Sequence, residues 1–130
     1  MQAIFLVHDQ QEGPGMRKHF LELSGYRVTA MPSGAECLTL LEKRKPVLVL
    51  MDILLDGANG FEICRTIRHR FAAKELPIVL CTTVYHARIY RDEAVAAGAQ
   101  GYVLRPIEPE DLVKIVNEIA GTHATSTAAG

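Results

Sequence analysis

Five short apolar runs rich in β-branched residues punctuate the chain, at Ala3–Val7, Arg27–Met31, Val47–Met51, Ile78–Cys81 and Gly101–Leu104. Runs of this kind read as strands. Those at Ala3, Val47 and Ile78 are almost continuously apolar, as in strands covered by helices on both faces; Arg27–Met31 alternates and suits a sheet edge. Between them the apolar positions shift to helical spacing: Met16, Phe20 and Leu23, then Leu38 and Leu41, then Ile63, Ile67 and Phe71, and last Leu112, Ile115, Val116 and Ile119. Ser33 followed by Glu36 is a capping box that starts the second helix. Gly25 and Gly98 stand where the first and fourth helices should stop, since glycine takes the left-handed conformation of a helix C-cap. Pro14 and Gly15 delay the start of the first helix, because proline suits a first turn and not an interior.

The order is therefore β-α five times over, which predicts an α/β doubly wound five-stranded parallel sheet with strand order 2-1-3-4-5. The chain has 130 residues, about one domain. We expect that domain to span residues 1–120, with 121–130 as a flexible tail or the start of a linker, because Gly, Ala, Ser and Thr dominate there and offer little apolar bulk.

Composition narrows the function. The formal net charge is −1 with the two signs interspersed, which leaves no basic footprint for nucleic acid and none for an anionic membrane surface. Cys37, Cys64 and Cys81 lie far apart within apolar runs, without zinc-site or redox spacing, and read as reduced core residues. No signal-peptide pattern or spanning segment is visible, so the expected compartment is the cytoplasm.

In an open parallel sheet the ligand sits beyond the carboxyl ends of the strands, where the strand order reverses. The residues there are His8 and Asp9 after the first run, Asp52 after the third, Thr82 after the fourth and Arg105 after the fifth. The segments that carry them resemble the response-regulator receiver family over almost the whole chain up to about Ala120. Val47–Asp52 with Gly57–Glu62 resembles the phosphoacceptor segment; Pro77–Thr82 resembles the fourth strand with its switch hydroxyl; Ala97–Pro106 resembles the fifth-strand segment with a switch aromatic, here Tyr102, and a basic residue before proline.

The resemblance implies a flavodoxin-like receiver fold and a two-component signalling role. A histidine kinase or phosphotransfer protein would pass a phosphoryl group to Asp52, and a protein-interaction surface would then switch toward a downstream output domain or protein. Asp9, Asp52 and the backbone carbonyl of Leu54 would hold Mg2+, Thr82 and Arg105 would bind the phosphoryl oxygens, and Thr82 and Tyr102 would switch. The Arg105–Pro106 bond would be cis. Such a domain is not an enzyme beyond its own phosphorylation and dephosphorylation, and some relatives pair as homodimers, though no feature of this sequence asserts one.

Five residues depart from the family pattern and bear on that expectation. His8 stands where a second acid is usual, and imidazole is a poor magnesium ligand but a good one for zinc, nickel or copper, so magnesium affinity should be weakened; a polar residue at the pocket rim is the preferred reading of His8, ahead of a metal ligand. Arg105 replaces the usual lysine, keeping the charge on a larger planar fork, and either binds phosphoryl or pairs at rest with Asp52 or Asp9. Asp56 and Asn59 depart from the usual loop residues and suggest greater mobility. Thr83 adds bulk beside Asp52. Tyr102 is either a switch or an aromatic packed at the sheet edge; His19, His69, His86 and His123 suit solvated faces. The rival reading is a pseudo-receiver that docks partners without phosphorylation. A flavin carrier on the same layout lacks its Ser/Thr-rich phosphate cradle in Asp9–Gly15.

Overall fold

The computed structural model of the protein describes residues 2–128. Strands β1 (Ala3–Val7), β2 (Arg27–Met31), β3 (Leu48–Asp52), β4 (Ile78–Thr82) and β5 (Gly101–Leu104) form one sheet. Its order is β2-β1-β3-β4-β5 and every pairing is parallel. The third and fourth strands each take in the polar residue that follows the apolar run, because Asp52 pairs in register with Cys81 and Thr82 with Leu104.

Helices α1 (Gly15–Leu23), α2 (Gly34–Leu41), α3 (Gly60–Arg68), α4 (Arg88–Ala97) and α5 (Pro109–Ala128) alternate with the strands. Successive side chains of a strand point to opposite faces, and the core divides accordingly. Phe5, Val7, Val49, Met51, Ile78 and Leu80 pack with Cys37, Leu41, Ile63 and Ile67 on one side. Ile4, Leu6, Leu48, Leu50, Val79 and Cys81 pack with Leu21, Leu112 and Val116 on the other. Helices α1 and α5 thus cover one face, and α2, α3 and α4 the other.

The helix starts and stops follow local chemistry. Ser33 accepts a hydrogen bond from the Glu36 amide at 3.2 Å, and α4 ends on Gly98 at φ 98°. The first helix does start late, at Gly15 behind Pro14. Its buried face differs from the expected Met16–Phe20–Leu23 stripe: Met16 and Leu23 are exposed, while Arg17 and Leu21 face inward. The stripe runs one position out of phase, so a charged residue enters the interior. At the other end α5 continues past Gly121 to Ala128, through most of the stretch assigned to a tail; residues 129 and 130 and the side chain of His123 lie outside the described residues. Among the described residues no helix is long and apolar enough to cross a membrane.

Candidate functional site

The carboxyl ends of β1, β3 and β4 open into a cavity of about 190 Å³ lined by Asp9, Glu12, Asp52, Leu54, Thr82 and Arg105, among others. The residues singled out in the sequence therefore meet, with the exceptions of His8 and Tyr102, and Asp52 lies at the base, only 4% exposed. Beyond it the chain turns through a short antiparallel ribbon, Leu54–Leu55 against Ala58–Asn59. Asn59 then caps α3 by accepting a hydrogen bond from the Glu62 amide at 3.0 Å. The loop with unusual Asp56 and Asn59 is thus tied at both ends.

Asp52 is held by a residue that the sequence did not bring forward. Arg17 Nη1 donates to Asp52 Oδ1 at 2.6 Å and Arg17 Nη2 to Oδ2 at 3.1 Å, a forked ion pair between α1 and β3. Both side chains are buried, 9% and 6% exposed. The Asp9 amide also donates to Oδ2, at 3.1 Å. Burial by itself would lower the Arg17 pKa, but the hydrogen bonds and charge of Asp52, helped by Cys81 and Glu12, raise it above its ordinary value. Arg17 is a fixed cation. Its place in the first turn of α1 opposes the positive end of the helix dipole, so Asp52 is what makes that position tenable.

Arg105 stands further off. Its Nη1 lies 3.6 Å from Asp52 Oδ1 and donates to Glu12 Oε2 at 3.1 Å. The resting partner of Asp52 is thus chiefly Arg17, not Arg105. The Arg105–Pro106 bond is cis.

Two of the proposed metal ligands besides Asp52 already hold loop backbone. Asp9 Oδ1 accepts from the Gln11 amide at 2.7 Å, and His8 Nδ1–H donates to the Asp9 carbonyl at 2.9 Å, so its ring is spent on the loop backbone. Among the described residues no group of three His, Cys, Asp or Glu is placed to hold a metal ion. With a guanidinium on both oxygens of Asp52, the residues as arranged do not fit a magnesium ion, which needs carboxylate oxygens free to enter its shell.

Thr82 is buried, and its Oγ1 accepts from the amides of Val84 at 3.1 Å and Tyr85 at 3.3 Å. Tyr102 lies outside the cavity yet is tied to the same loop: its hydroxyl donates to the Tyr85 carbonyl at 2.6 Å. Tyr85 is therefore held at its N–H by Thr82 and at its C=O by Tyr102. Tyr85 stacks on Tyr90 at 4.4 Å, and Arg91 lies over the Tyr102 ring at 5.3 Å. Burial raises the Tyr102 pKa, with Arg91 acting in the opposite direction. Thr83, His19, His69 and His86 are exposed.

Glu12 and Arg17 are the site residues that sequence reasoning missed. A signal for Arg17 did exist: it is a basic residue in a first helical turn without an acidic neighbour there, which the helix dipole disfavours unless something else holds it.

Residues 4–117 match the family model described as response regulator receiver domain. The phosphate regulon transcriptional regulatory protein PhoB of Rhizobium meliloti is 33% identical over 113 residues, covering 85% of this chain and 48% of that protein. An uncharacterised 14.6 kDa protein of Leptolyngbya boryana is 29% identical, covering 88% of this chain and 87% of that one. The chain spans about half the length of most of the curated relatives it matches. Among solved structures, a putative response regulator from Chloroflexus aurantiacus superimposes with a TM-score of 0.84 at 30% identity, covering 92% of this chain and 98% of that one.

Proposed function

The chain belongs to the response regulator receiver family, and on that premise we propose that Asp52 accepts a phosphoryl group from a phosphohistidine on a histidine kinase or phosphotransfer protein. The supporting observation is the convergence of a buried strand-end carboxylate, a strand-end hydroxyl and the Arg105 guanidinium around one small cavity, with Arg17 forked onto the same carboxylate. An oxygen of Asp52 attacks phosphorus; the O–P bond forms as the N–P bond breaks, and the imidazole leaves as a neutral base after taking up a proton. Charge in such a transfer spreads over the phosphoryl oxygens, where fixed donors stabilise it. Thr82 and Arg105 are those donors. For the attack Arg17 must release one carboxylate oxygen.

Receiver domains generally bind Mg2+; Asp9, Asp52 and the Leu54 carbonyl are the groups at hand, and the arrangement around Asp52 opposes the ion. Phosphorylation draws the Thr82 hydroxyl off the Val84 and Tyr85 amides. Tyr85 then moves, and Tyr102 with it, altering the surface that an output domain or protein reads. We assign this unit to residues 1–120. We place its action in the cytoplasm, where three buried free thiols stay reduced.

One observation favours a second reading. Because both oxygens of Asp52 are held by Arg17, the domain is also suited to docking a partner without phosphorylation. Intact-mass measurement after incubation with acetyl phosphate separates the two. A gain of one phosphoryl mass by the native protein and none by Asp52→Asn is expected; an unmodified native protein whose partner binding survives Asp52→Ala supports the docking module instead.

A further inference from the structure

We propose that the Arg17 guanidinium is a cation built into the site, taking at Asp52 the place that a divalent metal ion needs, so that the resting chain excludes the metal and admits it only when Arg17 is withdrawn. The inference rests on Asp52 as the reactive carboxylate and concerns how that carboxylate is kept.

Three features support it together. Arginine presents a planar fork that matches a carboxylate at both oxygens, and here both oxygens are taken. A metal at Asp52 would face that guanidinium in a buried setting, where like charges repel far more strongly than in water. The surrounding residues offer a metal little: His8 turns its ring nitrogen Nδ1 to the Asp9 carbonyl, and Asp9 already uses Oδ1 to hold the Gln11 amide.

The structure also has room for Arg17 to move. A second cavity, of about 220 Å³, is lined by Arg17 itself and by Glu12, Phe20, Arg105, Ile107 and Leu112, among others, between α1 and α5. The Glu12 carboxylate, which accepts from Arg105 at 3.1 Å, stands at its edge. A swing of the side chain into this cavity brings it to the Glu12 carboxylate, then shared with Arg105, and uncovers Asp52.

The test reads cation binding with no phosphoryl donor present, so that it stands apart from any failure to phosphorylate. Free Mn2+ is followed by electron paramagnetic resonance during titration of the native protein, Arg17→Met, and Arg17→Met combined with Asp52→Asn. The native protein should bind Mn2+ at least roughly tenfold more weakly than Arg17→Met, and the gain should vanish in the double variant. Equal affinity in the native protein and a folded Arg17→Met overturns the proposal. Should Arg17→Met fail to fold, the guanidinium signals of Arg17 in the native protein, followed by 15N NMR during a Mg2+ titration, decide the matter: signals that stay put without binding, or leave their ion-paired positions only as Mg2+ binds, support the built-in cation, and Mg2+ binding that Asp52→Asn abolishes while the Arg17 signals stay unmoved overturns it.

Discussion

Arg17 and Asp52, separated by 35 positions in the sequence, form a buried two-pronged ion pair that joins the first turn of α1 to the end of β3. The pair ties the start of a helix to the carboxylate on which the function turns. Its chemistry sets the first expectation for stability as well as for function.

Removing one partner of a buried pair leaves the other charge without compensation, which typically destabilises by about 3–5 kcal/mol, whereas replacing both by apolar residues of similar size is close to neutral. Asp52→Leu alone should therefore lower the unfolding free energy by roughly 3 kcal/mol, and Arg17→Met with Asp52→Leu should restore most of that loss. Urea unfolding of the native protein, both single variants and the double variant measures the coupling. Additive effects of the two substitutions would mean that the pair contributes no coupling.

Tyr102 holds the Tyr85 carbonyl at 2.6 Å while Thr82 holds the Tyr85 amide. Tyr102→Phe removes one neutral hydrogen bond, and stability should fall by about 1 kcal/mol. The informative readout is NMR of the Tyr85 amide and of the aromatic ring at position 102. Thr82→Ala introduced into the native protein should shift the ring signals of Tyr102, and the same substitution introduced into Tyr102→Phe should shift the ring at that position less. An equal response in the two backgrounds would break the proposed link between hydroxyl and aromatic.

Gly60 opens α3 directly against the end of β3. A Cβ there would lie 2.7 Å from the Asp52 carbonyl oxygen and 2.9 Å from the Ile53 Cα, both backbone atoms that cannot turn aside. Gly60→Ala should thus destabilise by about 1–3 kcal/mol, as overpacking does, and displace Asp52 from Arg17. Loss of the Arg17 guanidinium NMR signals from their ion-paired positions would report it; a variant with native stability and native signals would show that the contact yields without strain.

The buried thiols give the fold an alkaline limit. Burial pushes Cys37 and Cys81 up from 9.0 to about 12, and Cys64 to about 11. In each case the folded state keeps its proton where the unfolded chain has lost it. Their contribution is whole below pH 9.0 and is lost as pH climbs toward 11 and 12. Urea midpoints under reducing conditions should be level just below pH 9.0 and fall above it, with a shallower fall in Cys37→Ala. A midpoint that rises with pH across this window would contradict the assignment.

The strands and their order were legible because period and turn chemistry are local. Ala3–Val7, Arg27–Met31 and Gly101–Leu104 coincide with the observed strands, and the carboxyl-end rule gathers Asp9, Asp52, Thr82 and Arg105 into one cavity. Arg17 was not legible in the same way. Counting apolar positions selected Met16 and Leu23, which the fold leaves in solvent, and nothing in a hydrophobic pattern marks a charged residue as inward-facing. That fact depends on a carboxylate in another element. The role of Tyr85 between Thr82 and Tyr102 was hidden for the same reason, since it runs through backbone atoms that every residue carries.

Everything proposed for this domain turns on Asp52 as the residue that carries the phosphoryl group. An aspartyl phosphate is an acyl phosphate, which borohydride reduces to homoserine, so brief treatment with acetyl phosphate, reduction and peptide mapping identify the modified position directly. Homoserine is expected at position 52 of the native protein, and none when the donor is omitted. Reduction product at any other carboxylate, with Asp52 intact, would contradict it.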